Sequence, residues 1–336
     1  MKRSAPSVSK HGFAPQASRA RSLDQAIRDG LADSLATIFA ALDAPRTPAD
    51  PKLAALLARV RTAPVPPAIF GVYVELVLSI LAEREAEVAA ATSELLRPLP
   101  PLEAFRVCTL VDSALGAGHS ARYRRLLAPD IACRIRPLAP RDLAIAEGRL
   151  AAALDLIGTA APDVFDEFNA LVREVVLVRP VAAPAGQAFG AASTFSLWGS
   201  LVFNAEAMRD RVGIALQLAH EAGHALLFGM ALGGRITRND PGERHPSPLR
   251  SDERPMEGVA HATFVTGRMI YLLDRLLAAG VLTPGETREA HERLSNLVAL
   301  EAAGRETVRE RARLGPAGRQ AFADLDAFMA ERGLAK

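Results

Sequence analysis

Apolar positions recur at helical spacing over most of this chain. In residues 209–230, Val212, Ala215, Leu216, Ala219, Leu226 and Leu227 fall three or four apart and mark one face of a helix. Upstream, Ser22 and Gln25 read as a capping box that opens a helix running to about Leu42. Pro45, Pro48 and Pro51 interrupt the pattern before a short helix over residues 53–60. Pro64, Pro66 and Pro67 do so again before an apolar helix over residues 68–96. The charged run 83–87 is expected on the solvated face of that helix, and Pro98, Pro100 and Pro101 close it. Residues 102–115 read as another amphipathic helix, with Gly116 and Gly118 as its C-terminal cap. Arg122, Arg124 and Arg125 crowd one turn and are expected to be exposed. Helices over 141–157 and 163–171 complete a helical first half.

The texture then changes. Residues 174–179 form a β-type apolar run stopped by Pro180, and 186–190 read as a loop. Residues 194–204 alternate apolar and polar positions in their first part and then reach Asn204, which predicts a strand or hairpin just before the 209–230 helix. Gly233 and Gly234 end that helix. From there to Pro255 the chain is polar and rich in proline and arginine, a long loop of the kind that often carries function. A helix over 256–277 follows. A second helix opens on Thr283, Pro284 and Glu286 as a capping box with proline at its first position, and carries an exposed His291. Gly315 and Pro316 break it before a last helix ending near Arg332. The expected fold is mainly α with a small β element, a zincin-like strand or hairpin before the central helix, and a helical N-terminal half. Its expected parts are a basic tail (1–21), a helical region (22–160) and a catalytic region (161–336).

Composition narrows the function. With 336 residues, 49% apolar and 5% aromatic, the core is expected to be built from Ala, Leu and Val. A formal charge of +2 argues against a nucleic-acid binder that works through bulk charge. Cys108 and Cys133 form no metal pattern and suit a reducing compartment. The start has basic residues but no apolar stretch of a secretory signal, and the most apolar run, 68–82, is too short for a membrane and holds Glu75. A cytoplasmic protein with no membrane partner is expected.

The candidate chemistry lies in His220-Glu221-Ala222-Gly223-His224. Residues four apart on a helix share a face, with Cβ atoms about 5–6 Å apart. Two imidazoles so placed can converge on one ion at about 2.0–2.1 Å each. Glu221 could reach a metal-bound water or a substrate. A catalytic site needs a third ligand, and the extended pattern H-E-x-x-H-x-x-G-x-x-H is absent, with Leu227 and Met230 at its Gly and third His. Glu257 and His261, four apart on the next helix, are the candidates. Glu257 gives two histidines and a carboxylate, which suits zinc or iron; His261 gives three imidazoles. One can ligate while the other orients it. The upstream strand adds an edge that zinc peptidases of the zincin type use to hold peptides by main-chain pairing.

Two blocks resemble the 2-oxoglutarate-dependent, H-E-x-x-H-type peptide β-hydroxylases that modify ribosomally made peptides. One is residues 220–224. The other is residues 247–265, where Arg250, Asp252, Arg254-Pro255, Gly258 and His261 fall on that family's pattern and Glu257 on a variable position. The resemblance spans roughly residues 195–271 and implies His261 as the third ligand. It also implies Fe(II), O2 and 2-oxoglutarate as cofactors, with Arg254 first and Arg250 second as the cation for the distal carboxylate, a task suited to the planar guanidinium fork. The implied substrate is a peptide, including a precursor with a leader. In that chemistry Glu221 is not a general base and hydrogen-bonds a substrate amide or a ligand. The competing reading is a zinc metallopeptidase in which Glu221 activates water.

Overall fold

The computed structural model describes residues 12–42, 50–99, 102, 105–127, 134–181, 189–247 and 250–334, the side chains of 250 and 251 aside. The first eleven residues, Pro45, Pro48, Pro100, Pro101, Cys133 and most of the 186–190 loop lie outside them. The protein is mainly helical with small sheets, as its periodicity predicts. It divides into two units: Met1–Leu23, Gly148–Leu171 and Met208–Lys336 form one, Asp24–Glu147 and Val172–Ala207 the other.

Helix α1 (Ala17–Leu42) begins before the expected capping box, so Ser22 lies inside it and its hydroxyl donates to the Ser18 carbonyl. The second unit continues with α2 (Pro51–Thr62), whose N-cap Asp50 accepts from the Lys52 amide at 2.8 Å. The expected single helix over 68–96 is two helices, α3 (Pro67–Leu81) and α4 (Glu85–Leu95). Glu83 breaks it with φ 54°, and the Arg84 amide turns back to the Ser79 carbonyl. No glycine or proline marks that break in the sequence.

Residues 106–109 are not helical either. Strand β1 (Arg106–Thr109) pairs in parallel with a longer strand, β3 (Glu174–Val181). The Thr109 hydroxyl donates to the Leu177 carbonyl at 2.7 Å and accepts from the Leu138 amide at 2.8 Å, so the strand is fixed by side chain as well as ladder. Short α5 (Asp112–Leu115) ends on Gly116 at φ 106°, the expected glycine cap. In α6 (His119–Leu127), Arg122 is buried rather than exposed because Glu75 and Glu94 both pair with it. Strand β2 (Arg134–Pro137) lies antiparallel on β3, and α7 (Pro140–Ala160) and α8 (Pro162–Leu171) follow.

The sheet order is β1-β3-β5-β4, with β2 beside β3. Here β4 is Ala191–Ser193 and β5 is Ser200–Asn204, entered through a 3-10 turn at Phe195–Leu197. Val176, Val178, Leu110, Tyr123, Leu197 and Val202 form the core beneath it. The strand preceding the motif helix is therefore β5, and it is no free edge: β3 pairs it on one side and β4 on the other. Trp198 is buried and its indole donates to Asp24 at 3.0 Å.

The first unit is helical. Asp210 caps α9 (Arg211–Ala231) by accepting from the Gly213 amide at 2.7 Å, and Arg293 grips the same carboxylate at 2.8 and 2.9 Å. The polar stretch expected as a loop contains a two-stranded hairpin, β6 (His245–Ser247) and β7 (Arg250–Arg254). Then come α10 (Met256–Ala279), α11 (Pro284–Arg311), opened by the predicted capping box at Thr283 and Glu286, and α12 (Pro316–Glu331). Helix α10 packs against α9, α11 and α12. Residues 12–21, expected as part of a tail, are built into this unit. Phe13 is 1% exposed and meets Phe264 edge-on at 5.6 Å, and Arg19 pairs with buried Glu167. No described helix is long and apolar enough to cross a membrane.

Candidate metal centre

The histidine pair depends on how closely α9 and α10 approach. Gly223, inside the motif, permits that approach: a Cβ there would lie 3.0 Å from Val265 Cγ1 and 3.5 Å from Arg268 Cγ on α10. Val265 and Arg268 stand one and two turns beyond His261, so the glycine sets the distance between the two histidine-bearing helices.

His220 and His224 converge. Their Nε2 atoms are 3.2 Å apart and their ring centroids 4.8 Å. Two imidazoles bound to one ion at about 2.0–2.1 Å, at right to tetrahedral angles, would show about 2.9–3.4 Å between nitrogens and about 4.5–5.2 Å between ring centres. The pair matches both. Burial holds His220 below the ordinary imidazole range, against the pull of Glu221. Burial, then the charges of His220 and His261, hold His224 well below it. Both rings are therefore neutral near pH 7 and keep a lone pair for a metal. On its far side His220 Nδ1 lies 3.4 Å from Met269 Sδ on α10. A thioether carries no proton, so Nδ1–H donates there and Nε2 keeps the lone pair.

The third position is less closed. His261 is brought to the same face, with its ring centre 5.7 Å from that of His224, about half an ångström beyond the bound range above. Its Nε2 is buried without an aligned hydrogen bond, 3.3 Å from Glu257 Oε1. Burial pushes the Glu257 carboxyl up, but the nearby His261 ring and the Thr237 hydrogen bond outweigh it and leave it below its usual range. The Thr237 hydroxyl donates to Glu257 Oε2 at 2.7 Å. Among the described residues, no three His, Cys, Asp or Glu groups already form a complete metal-binding set. The donors nonetheless fit an ion of the zinc or iron type: two neutral imidazoles at ligand spacing, and a third whose buried nitrogen faces Glu257 without an aligned hydrogen bond.

Glu221 is 3% exposed and accepts from Gln217 one turn earlier, at 3.0 Å. Arg254 ends β7 and directly precedes α10; its half-exposed guanidinium pairs with exposed Asp252, Nε to Oδ2 3.0 Å. Arg250 opens the same strand, and its side chain lies outside the described part. Sequence reasoning passed over Phe228, one turn after His224. Its ring stands 6.4 Å from that of His224 and 5.7 Å from that of His261, a wall beside both. Helical spacing from His224 was the signal that could have found it. No protein-family profile matches the chain, and no curated protein matches it.

Proposed function

We propose that this protein is an Fe(II)- and 2-oxoglutarate-dependent oxygenase that hydroxylates a β-carbon of a residue in a ribosomally made peptide, in the cytoplasm. The observation carrying this reading is the 3.2 Å pair of His220 and His224 nitrogens with His261 on the adjoining helix. Iron with open positions supplies the oxidation: the keto acid and O2 become succinate and CO2 as one oxygen atom enters a C–H bond of the peptide. His220, His224 and His261 would hold the ion, and Glu257, braced by Thr237, would orient His261. Arg254 would take the distal carboxylate of the cosubstrate in exchange for Asp252, at a helix N-terminus that also favours an anion. Phe228 would flank the substrate and limit water at the reacting carbon.

The alternative is a zinc peptidase. It needs its glutamate at an open, water-bearing position, and Glu221 is buried and held by Gln217. It also gains from a free edge strand upstream, and β5 has neighbours on both sides. Those two observations put it second.

The test is anaerobic loading with Fe(II), then 2-oxoglutarate, O2 and a candidate precursor peptide. A peptide heavier by one oxygen, with equimolar succinate, is expected; cleavage without cosubstrate would overturn the reading. Arg254→Ala should weaken 2-oxoglutarate binding about tenfold or more with metal content intact, the loss expected for one charged hydrogen-bonding partner.

A further inference from the structure

His245 has no part in the site as read so far, yet it is 8% exposed and neither ring nitrogen has a hydrogen-bond partner. The nearest acid, Glu243, lies 3.6 Å from Nε2, beyond a hydrogen bond. A buried imidazole left without a partner costs stability, and native structures rarely keep one without a ligand to satisfy it. Its position points to that ligand. In the hairpin, His245 stands directly opposite Arg254, and opposed residues of an antiparallel pair share a face with Cβ atoms about 4.5–5.5 Å apart. The Arg254 guanidinium on that face is already engaged by a carboxylate, that of exposed Asp252.

We propose that His245 and Arg254 form a carboxylate-binding pair, His245 donating an N–H to the second oxygen of a carboxylate that takes the place of Asp252 on Arg254. This rests on the oxygenase reading for the identity of the ligand, a five-carbon keto diacid, but the pair itself is recognised by its chemistry. Arg254 precedes His261 by seven residues, about 10 Å along a helix axis. A keto diacid anchored near the histidines and an arginine side chain reaching toward it together cover that span. A charged guanidinium supplies the balancing charge, and the His245 imidazole N–H supplies direction.

The experiment compares binding of 2-oxoglutarate and of pyruvate, which lacks the distal carboxylate, to anaerobic Fe(II)-loaded protein by calorimetry. His245→Phe is expected to weaken 2-oxoglutarate about tenfold or more and to leave pyruvate unchanged. His245→Gln, which keeps an N–H donor, should recover most of that loss, and Asp252→Ala should tighten 2-oxoglutarate by freeing Arg254. An unchanged affinity in His245→Phe, or an equal loss for both acids, would overturn the pair while leaving the oxygenase reading standing. If wild-type protein binds neither acid, the oxygenase reading fails. A blocked tripeptide as free acid and as amide then decides: selective binding of the free acid, lost in His245→Phe, supports the pair with a peptide terminus as ligand. Equal binding of the two, or none, overturns it.

Discussion

Two polar clusters in the helical unit use the same kinds of side chain to opposite ends. Around Glu167 both carboxylate oxygens have donors: Oε2 accepts from Arg19 at 3.0 Å and from the Gln16 amide at 2.8 Å, and Oε1 accepts from Arg268. The same two arginines also donate to the Ala14 and Phe13 carbonyls, each at 2.6 Å. On the facing turns of α9 and α10, the imidazoles of His220, His224 and His261 approach one another, and the carboxylate beside them, that of Glu257, lies 3.3 Å from His261 Nε2 without an aligned hydrogen bond. The first cluster leaves only Arg19 Nε without a partner and ties residues 13–19 to α8 and α10. The second leaves the buried His261 Nε2 without an aligned hydrogen bond and turns the other two rings toward each other. In a folded interior, a closed polar network holds the structure together, and an open one marks where something else is to be bound.

That contrast predicts opposite responses to deletion. Glu167→Ala leaves two buried guanidinium groups without their counter-charge, a loss of about 3–5 kcal/mol. His224→Leu fills a similar volume and removes no hydrogen bond from a carboxylate, so the unfolding free energy of the metal-free protein should change by less than about 1 kcal/mol. Metal affinity should show the reverse order. Urea unfolding of both variants, beside Co(II) titration of His224→Leu, reads the two columns. Similar losses of stability in both variants would remove the distinction.

Much of this was legible in the sequence, and what was not has physical reasons. The helices carrying the site announce themselves by period, α11 beside them by its cap of Thr283 with Glu286, and His220 with His224 is visible by spacing alone. Buried Arg19 is not, because its partner is 148 residues away and no local pattern encodes that pairing. Four-residue β1 is too short to set a period apart from a helix, and its pairing lies with β3. The β6–β7 hairpin is written almost wholly in polar residues, so it reads as a loop although it carries Arg254 to the start of α10. The break at Glu83 needs a left-handed residue where the sequence shows an ordinary helix former.

Glu301 sharpens the comparison, since it is buried and unsatisfied like the histidines but has no evident ligand. Both its carboxylate oxygens lack hydrogen bonds; burial raises its carboxyl to about 7, with Arg305 working against the shift and Asp326 with it. The folded protein therefore keeps this proton after the unfolded chain has lost it. Stability should be unaffected by Glu301 below about pH 4, fall as pH rises from there to about 7, and stay lower above, by roughly 3 kcal/mol in all. Glu301→Gln should flatten that part of the profile. Unfolding measured from pH 4 to 8 in both proteins checks it, and the same slope in each would assign the dependence elsewhere.

The smallest expected effect on the fold is the most telling for the site. Gly223→Ala places a methyl 3.0 Å from Val265 Cγ1, tighter than ordinary van der Waals contact, so α9 and α10 must separate by a few tenths of an ångström. Overpacking of this kind costs about 1–3 kcal/mol, partly offset by the better helix propensity of alanine. The His220 and His224 pair lies on one helix and keeps its own geometry, whereas the ring of His261, already 5.7 Å from His224, moves farther away. Co(II) affinity should therefore fall more than stability does. Val265→Ala in the same chain removes the opposing methyl and should restore affinity while itself costing stability by leaving a cavity. Recovery of binding without recovery of stability would identify helix spacing as the quantity that closes the third ligand position. An unaltered affinity in Gly223→Ala would show that His261 takes no part in holding the ion, and Glu257 would then become the ligand to examine on α10.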